Sequence, residues 1–287
     1  MKKILSIMVA TFIATTNLWA QFPDPFLADE DRPDGKLWIP APPSLTGGDF
    51  ANDFYYYQWG KEQREEEWTA EWALWDEGID LSHVFSPCMD IDLSHENTPE
   101  ILKLAEAATS DAHNANKAVK DFYQRKRPFV TFNEPSLKPE EDEEEALTYS
   151  YPSGHSSRGW MYALTLATVA PDCTESLMER ARIYAIHRVV CGHHWKSDID
   201  ASLMLTAGIF ANVVATDAYQ AQLKKAREEY QRIRKEQSSG IKERTVTPTT
   251  SETPIYDLQG RQLNGTPTEK GIYIQGNNKV YNTNTSK

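Results

Sequence analysis

The chain contains, at residues 153–169, the stretch SGHSSRGWMYALTLATV, which is mostly apolar and long enough to form a helix. Two stretches of the same kind follow it, one beginning at Asp172 or Thr174 and ending at Gly192, and one covering residues 197–235. All three have helical length and lack the period-two alternation of a strand. The sequence therefore predicts that the body of the protein is mainly α-helical.

An aromatic stripe precedes this region. The pattern becomes helical from Asp53, and Trp68, Trp72 and Trp75 are spaced i, i+4, i+7, which places the three indoles on one helix face. Such a stripe is typical of residues that pack in a core, and this is the interpretation we favour. The alternative is a wall that stacks against a substrate.

A second helix is expected before the apolar stretch. Residues 97–100 read NTPE, with a polar capping residue and a proline at the first helical position, and the helix should continue to about Tyr123. Residues 140–145 are an unbroken acidic run, which we expect to be a solvated loop pointing away from any site. If this loop were a lid, its charges would repel an anionic substrate and activity would rise with salt.

The first twenty residues have the features of a secretory signal. Lys2 and Lys3 precede an apolar run over residues 4–13, and a short polar stretch ends at Ala20. We expect cleavage of residues 1–20 and a mature protein that is periplasmic, secreted or attached to the cell surface. Residues 23–43, rich in Pro and Asp, should form an extended arm.

The end of the chain differs in composition from its helical body. Residues 238–254 are rich in Ser, Thr and Pro and indicate a linker that follows a domain over residues 21–237. Residues 255–261 and 271–274 look like short strands separated by turns. The sequence predicts a small β-like tail over residues 255–287.

Overall charge and cysteine content narrow the function further. The net charge is −12 and the pI is near 5.1, which argues against a nucleic-acid-binding surface. No segment after the signal is apolar enough to span a membrane, in agreement with the mean hydropathy of −0.60. The three cysteines match no zinc pattern, and either one disulfide with a free thiol or three buried thiols is compatible with their spacing.

Three groups of residues typical of phosphate sites lie in or beside the predicted helices. Taken singly, each could be a surface charge, a helix cap or an ordinary i, i+4 pair. Together they provide every part that phosphoryl transfer to a side chain requires. The groups are Lys120 with Arg127 and Pro128, residues 152–155 (PSGH), and Arg188 with His194 and Asp198.

The cations and one helix start would bind the phosphoryl group. Lys120, Arg127 and Arg188 can neutralise its oxygens, on which the transition state carries charge. Ser153 and Gly154 open a helix, so free backbone N–H groups and the positive end of the helix dipole can face an anion. This arrangement predicts a phosphate site that uses no metal and no cofactor.

The histidines would perform the chemistry. Asp198, four residues after His194, can hold one ring nitrogen as a donor and leave the other free to attack phosphorus. His155 would protonate the leaving group and afterwards activate the water that cleaves the phosphohistidine. His193, next to the predicted nucleophile, could line the pocket or pack structurally, and His83, His95 and His113 have no ligand-like partner.

These motifs resemble those of the bacterial class A non-specific acid phosphatases of the type 2 phosphatidic acid phosphatase superfamily. The family pattern K-x6-RP, PSGH and SR-x5-H-x3-D is matched in order, except that His187 replaces the family Ser. The resemblance implies an all-α fold around a helix-bundle core, a phosphohistidine at His194 and independence from divalent metals. It also implies phosphate contacts from Lys120, Arg127, Ser153, Gly154 and Arg188. His187 need not face the site, because neighbours in a helix point about 100° apart.

The expected substrates are small phosphomonoesters, such as nucleotides or sugar phosphates. The alternative enzyme is a vanadium-dependent haloperoxidase, whose family resembles this one at the same residues and would bind vanadate in the same place. A surface-attached binding protein without turnover is disfavoured, because the nucleophile, its carboxylate and the acid are all present. The tail resembles the C-terminal sorting segment of proteins exported by the type IX system, so export machinery is an expected partner there.

Overall fold

The computed structural model describes residues 23–78 and 80–240, together with parts of the tail at 255–257, 262–263, 265, 267, 271–275 and 278–282. The predicted signal at residues 1–20 and most of the predicted linker lie outside the described residues. Within the described part of the chain, helices dominate, which confirms the all-α fold class. The α-helices are α1 (Phe50–Gln63), α2 (Glu67–Gly78), α3 (Leu81–Met89), α4 (Pro99–Tyr123), α5 (Pro128–Phe132), α6 (Asp142–Glu145), α7 (Gly154–Val169), α8 (Thr174–Val190), α9 (Lys196–Val213) and α10 (Asp217–Gly240).

Helix α7 lies at the centre of the body and packs against α4, α8 and α9. Most of its apolar side chains are buried, and those of Met161 and Leu166 are fully buried. Gly159 allows α8 to come close, because a Cβ at this position would lie 2.4 Å from Cδ1 of Tyr184. The stretch at residues 153–169 thus forms the central helix of the bundle.

Helix α4 begins where the sequence predicted. Pro99 occupies the first helical position after Thr98, and the helix ends at Tyr123. The carboxylate of Glu229 on α10 accepts hydrogen bonds from the amides of Glu100 and Ile101 at 3.1 and 3.0 Å. A side chain from another helix therefore caps this helix start, in a partly buried setting where free amides are unfavourable.

The N-terminal arm is irregular, as predicted, but it is anchored. It contains two short 3-10 turns, at Asp29–Asp31 and Gly35–Leu37. The carboxylate of Asp111 on α4 accepts hydrogen bonds from the amides of Phe26 and Leu27 at 2.9 and 3.0 Å. The arm thus packs against the bundle, and Leu27 belongs to the main core.

The prediction of one continuous helix over residues 197–235 is wrong. Helices α9 and α10 are separate and are bent by 92° relative to each other. The hydroxyl of Thr216 accepts a hydrogen bond from the amide of Tyr219 at 3.2 Å and donates one to the carbonyl of Val213 at 2.9 Å. These local bonds end one helix and start the next.

Helix α10 reaches Gly240, three residues beyond the expected end of the domain at 237. Among the described residues, no helix by itself has the length and apolarity needed to cross a membrane. Only α9 and α10 taken together pass that test, as a bent pair.

The core interpretation of the three indoles holds for Trp72 and in part for Trp68, which packs against the same cluster, but not for Trp75. Trp72 is 5% exposed and Trp68 is partly buried, whereas Trp75 is 39% exposed. Asp76, about 100° further round α2 than Trp75, is fully buried against α8. The face of α2 that packs therefore contains Trp72 and Asp76, one turn apart, and leaves Trp75 at its edge.

The tail forms a small antiparallel sheet, as the β-like tail prediction required. Its strands are β1 (Ile255–Tyr256), β2 (Gln262–Leu263), β3 (Gly271–Gln275) and β4 (Asn278–Asn282), in the order β2-β1-β3-β4. Tyr256 stacks on Trp68 with ring centroids 5.1 Å apart, and Ile274 packs against Trp72 and Ile183. The tail thus rests on α2 and α8.

Candidate active site

The ends of five helices bring the predicted site residues to one place. Most of these residues are buried, although each lies at or near a helix terminus. Lys120 lies in the last turn of α4, Arg127 precedes α5, Ser153, Gly154 and His155 start α7, Arg188 lies in the last turn of α8, His194 lies in the turn before α9, and Asp198 lies in the first turn of α9.

His194 is held between a carboxylate and a guanidinium. Its Nδ1 lies 3.4 Å from Oδ2 of Asp198, and its Nε2 lies 3.2 Å from Nη1 of Arg127. This network assigns the ring proton to Nδ1 and the lone pair to Nε2. Burial, followed by the charges of Arg127 and Lys120, lowers the pKa of His194 well below its ordinary value. The imidazole is therefore neutral in the free protein.

Asp198 is fixed by residues that the sequence analysis missed. Its Oδ1 accepts a hydrogen bond at 2.7 Å from Arg125, whose other Nη donates to Asp53 on α1 at 2.7 Å. Asp53 also accepts the amide of Ser197 at 2.8 Å. Burial raises the pKa of Asp198, and the charge of Arg125 opposes that rise. The position of Arg125, two residues before Arg127, could have suggested a role in the site. No feature of the sequence around Asp53 indicated one.

The remaining two cations, Lys120 and Arg188, also act on the pKa of His194 through their charges. Burial, and then the charge of Arg127, lowers the pKa of Lys120 to about 7. Arg188 has Nη1 2.6 Å from the carboxylate of Glu77 and Nη2 2.9 Å from Nδ1 of His193, while its buried Nε has no hydrogen-bond partner. Burial would raise the pKa of Glu77, but the bond from His193 and the charge of Arg188 lower it below its usual range.

The start of α7 presents backbone donors close to these cations. Ser153 Oγ accepts the amide of Ser156 at 3.3 Å, and Ser153 O accepts the amide of Ser157 at 3.0 Å. The amides of Gly154 and His155 therefore precede the first intrahelical bond. A Cβ on Gly154 would lie 3.9 Å from Nζ of Lys120, so this turn faces the cations.

Ser153 itself offers an anion fewer hydrogen-bond donors than the sequence predicted. Its amide donates to the carbonyl of Asp198 at 3.1 Å, and its hydroxyl oxygen accepts from the hydroxyl of Ser156 at 2.9 Å. Only its own hydroxyl hydrogen remains for a ligand. The turn therefore offers an anion the amides of Gly154 and His155, not that of Ser153.

His155 carries an unused ring nitrogen. Its ring stacks on Tyr184 with centroids 4.0 Å apart, and its Nδ1 lies 3.4 Å from the Tyr184 hydroxyl. Its Nε2 is buried and has no hydrogen-bond partner. Burial, followed by the charge of Arg188, lowers the pKa of His155 well below its ordinary value. A buried polar atom without a partner is unfavourable, and a ligand here would satisfy it.

Known proteins are similar in sequence to this chain over most of its length. The family model described as the PAP2 superfamily matches residues 102–222. A non-specific acid phosphatase of Salmonella typhimurium is 31% identical over 220 residues, which cover 73% of this chain and 85% of that protein. This chain belongs to the acid phosphatases of the PAP2 superfamily. A non-specific acid phosphatase of Providencia stuartii is 28% identical over 82% of this chain and all of that protein, and an acid phosphatase of Zymomonas mobilis is 29% identical over 70% and 77%.

Family membership confirms the resemblance drawn from the motifs and makes the protein a phosphatase. The roles of the individual residues remain predictions. In this acid phosphatase, the residues of the three motifs are neighbours through the contacts and charges described above.

The expectation for the acidic run of the acid phosphatase holds only in part. This segment forms a 3-10 turn at Pro139–Glu141 and helix α6, and Glu140, Glu143 and Glu144 are exposed, but two of its carboxylates turn toward the body. Glu145 Oε2 lies 2.5 Å from Nη2 of Arg127, and Asp142 accepts the amide of Ser136 at 3.0 Å. Buried cations attract the nearest carboxylate, which charge counting along the sequence could not reveal.

His187, the departure from the family pattern, faces away from the phosphate cations. Its Nδ1 lies 2.7 Å from Oδ2 of Asp76, which also pairs with Arg180 on α8. His193 is fully buried between Arg188 and Glu77, an arrangement that fits the packing interpretation.

The other candidate ligands of the acid phosphatase are ordinary. Cys88 and Cys191 are buried, Cys173 is partly buried, and none of the three forms a disulfide. His95 pairs with Glu106 at 3.1 Å. Within the part of the chain that the structure describes, no group of three or more His, Cys, Asp or Glu side chains is arranged to hold a metal ion.

A separate cavity of about 620 Å³ lies between α1, α2, α8 and α9. Its wall includes Trp59, Trp68, Trp72 and His187, but neither His194 nor the three phosphate-site cations. The interpretation of the indole stripe as a wall of the catalytic site is therefore not supported in this acid phosphatase.

Proposed function

We propose that this acid phosphatase is an exported enzyme that hydrolyses small phosphomonoesters through a phosphohistidine on His194. The observation that carries the proposal is the setting of the His194 ring. Nδ1 faces Asp198, while Nε2 is directed to Arg127 within the field of Lys120 and Arg188. A neutral imidazole in this orientation is a nucleophile already placed at an anion site.

In the first step, Nε2 of His194 attacks phosphorus and the bond between phosphorus and the leaving oxygen breaks. His155 donates a proton to that oxygen, so the leaving group departs as a neutral alcohol. In the second step, His155 takes a proton from water while the water oxygen attacks phosphorus. The N–P bond breaks, inorganic phosphate leaves, and both imidazoles return to their starting states.

The substrate itself supports the protonation of His155. In the free enzyme the pKa of His155 is low because the ring is buried and the charge of Arg188 is close. A bound phosphoryl dianion would offset that positive charge and raise the pKa of the ring. The proposed acid is therefore charged when substrate is present, and a mildly acidic solution favours the same state.

Three cations and the first amides of α7 provide the charge that the transition state requires. Lys120, Arg127 and Arg188 are the cations, and Gly154 and His155 supply the amides, with the Ser153 hydroxyl as an added donor. The proposal assigns no role to a divalent metal or to a cofactor.

The proposed substrates are small esters, with nucleotides and sugar phosphates among them. The relatives are named non-specific acid phosphatases, which supports a broad range of leaving groups. Nucleic acid is not a proposed partner, because the net charge of −12 disfavours a polyanion.

We also propose that residues 1–20 are a signal, residues 21–237 the phosphatase domain, residues 238–254 a linker and residues 255–287 a sorting segment read by export machinery. The support is the pattern of charge, apolarity and turn residues in the sequence. Mass spectrometry of the exported protein should find Gln21 at the N-terminus. A mature chain that retains residues 1–20 would contradict the proposal.

The test is hydrolysis of p-nitrophenyl phosphate at mildly acidic pH in EDTA. Wild type should turn over and His194→Ala should lose at least about 10³-fold in kcat. The exposed His83 provides a matched control, and His83→Ala should keep full activity. An active His194→Ala enzyme would refute the nucleophile. An inactive wild type that oxidises bromide with vanadate and peroxide would instead establish the haloperoxidase alternative.

A further inference from the structure

Each nitrogen of the Arg127 guanidinium already donates to a protein acceptor. A guanidinium offers five N–H donors. Nη1 bonds to the carbonyl of His193 at 2.9 Å and to Nε2 of His194 at 3.2 Å. Nη2 donates to the hydroxyl of Thr148 at 2.7 Å and forms an ion pair with the carboxylate of Glu145, 2.5 Å away. Nε bonds to the carbonyl of Glu145 at 3.0 Å. In the free enzyme, the charge of Arg127 is therefore already paired with Glu145, and each of its nitrogens already has a protein acceptor.

A phosphoryl group that binds Arg127 must therefore compete with these acceptors, although Nη1 is also released from Nε2 of His194 when that atom attacks phosphorus. The carbonyl of His193 belongs to the buried turn that carries the nucleophile, and it is fixed by the backbone. The carboxylate of Glu145 is different, because its side chain is 30% exposed and lies on the short helix α6. It is the one charged acceptor of Arg127 that can move into water.

The charge of Glu145 also acts on the other phosphate-site cations. It raises the pKa of Lys120, of Arg127 and of Arg188, opposing the effect of burial at each. Glu77 is the counter-ion of Arg188, and Glu145 adds a second carboxylate to this group of cations. The carboxylate of Glu145 thus interacts with the same cations that would bind the negative charge of a phosphoryl group.

We propose that Glu145 is a substrate-competing residue: its carboxylate binds Arg127 in the free enzyme and is displaced when a phosphoryl group binds. This inference rests on the proposed function, in which Arg127 contacts phosphate. A dianion replaces the single charge of Glu145 with a stronger partner for the same cations. Glu145 therefore weakens the binding of every phosphate ester without taking part in bond making.

The test compares Glu145→Gln with Glu144→Gln, which removes the same charge from the exposed neighbouring residue. For Glu145→Gln, the KM for p-nitrophenyl phosphate and the inhibition constant of inorganic phosphate should both fall by about 5-fold. The kcat should stay within about 2-fold, because Glu145 does not touch the reacting atoms. Glu144→Gln should match wild type. An unchanged or higher KM in Glu145→Gln would overturn the proposal and indicate that Glu145 positions Arg127.

A second measurement does not depend on turnover. Calorimetric titration of inorganic phosphate into His194→Ala and into the double variant His194→Ala, Glu145→Gln compares phosphate affinities with the nucleophile removed. The double variant should bind about 5-fold more tightly. Equal affinities would refute the inference, whatever the activity assays show. Conversely, activity retained by His194→Ala would refute the proposed function and leave this comparison valid.

Discussion

At the scale of single residues, the site is organised by Asp198. One carboxylate oxygen is close to Nδ1 of His194 and accepts the amide of Trp195 at 2.8 Å, while the other accepts from Arg125. The side chain thus fixes both the tautomer and the orientation of the proposed nucleophile. The charge of Arg125 in turn opposes the burial that raises the pKa of Asp198, although Arg125 touches no substrate in the proposed mechanism.

Arg125→Met should lower kcat by about 10- to 100-fold and change KM less, because it removes a positioning residue. Arg125 opposes the raised pKa of Asp198, so its loss should raise that pKa further. Asp198 must be ionised to hold His194, and the acid limb of the kcat profile should therefore move to higher pH. Steady-state kinetics across pH measure both effects.

Lys126→Met is the matched control, because Lys126 is the exposed neighbouring cation. It should leave the pH profile unchanged. A profile of Arg125→Met that coincides with wild type would mean that Arg125 has only a structural role.

The motifs identified His155, His194 and Asp198 from sequence, because spacing along a helix or turn is a local property. Arg125, Asp53 and Glu145 were missed as site residues for a different reason. Their importance comes from ion pairs between segments distant in the chain, such as the 72 positions between Asp53 and Arg125. Charge patterning along one segment does not contain that information.

At the scale of secondary-structure elements, α2 is held to α8 by a buried ion pair. Asp76 receives hydrogen bonds from both ends of the Arg180 guanidinium and from His187. Burial would raise the pKa of Asp76, but the charge of Arg180 and the bond from His187 lower it. The next residue, Glu77, anchors Arg188, so the same helix supports the phosphate site.

Asp76→Asn should lower the free energy of unfolding by about 3–5 kcal/mol, because the buried Arg180 would lose its counter-charge. Urea unfolding followed by circular dichroism measures the change. Glu71→Gln, at an exposed position of the same helix, should stay within about 0.5 kcal/mol of wild type. A loss below about 1 kcal/mol in Asp76→Asn would show that Arg180 reaches water in the variant.

The elements themselves were largely predictable. Helix α4 has a proline start that local sequence reveals, and α7 lies where the apolar stretch placed it. The break between α9 and α10 was not predictable from apolarity, because a single hydroxyl at Thr216 redirects the chain. The exposure of Trp75 was missed because the position of α8, and not the periodicity of α2, decides which face packs.

At the scale of the whole molecule, catalysis and stability conflict at low pH. His155 and His194 are buried and have pKa values well below the ordinary value near 6.5. The unfolded chain therefore binds more protons than the native protein as pH falls below about 6.5. Each histidine stabilises the native state above that pH and loses its contribution as pH falls.

Urea unfolding at pH 6.5 and pH 5.5 should show a smaller free energy of unfolding at the lower pH. Each neutral buried histidine contributes up to about 1.4 kcal/mol per pH unit to this difference. The raised pKa of Asp198 has the opposite effect on the pH dependence of stability. The contribution of one histidine is therefore measured by comparing wild type with a variant that lacks it. His155→Gln should therefore lose less stability than wild type between the two pH values. Equal losses would mean that His155 titrates normally in the native protein.

The contacts around Asp198 join segments that are far apart in the chain. Arg125 lies 73 positions from Asp198, and Asp53 lies 144 positions from Ser197. Contacts this distant in the chain form late, because the intervening chain must first be ordered. Helical content can thus return before α1, α4, α7 and α9 meet. We therefore expect phosphatase activity to return after helical content when the unfolded chain refolds.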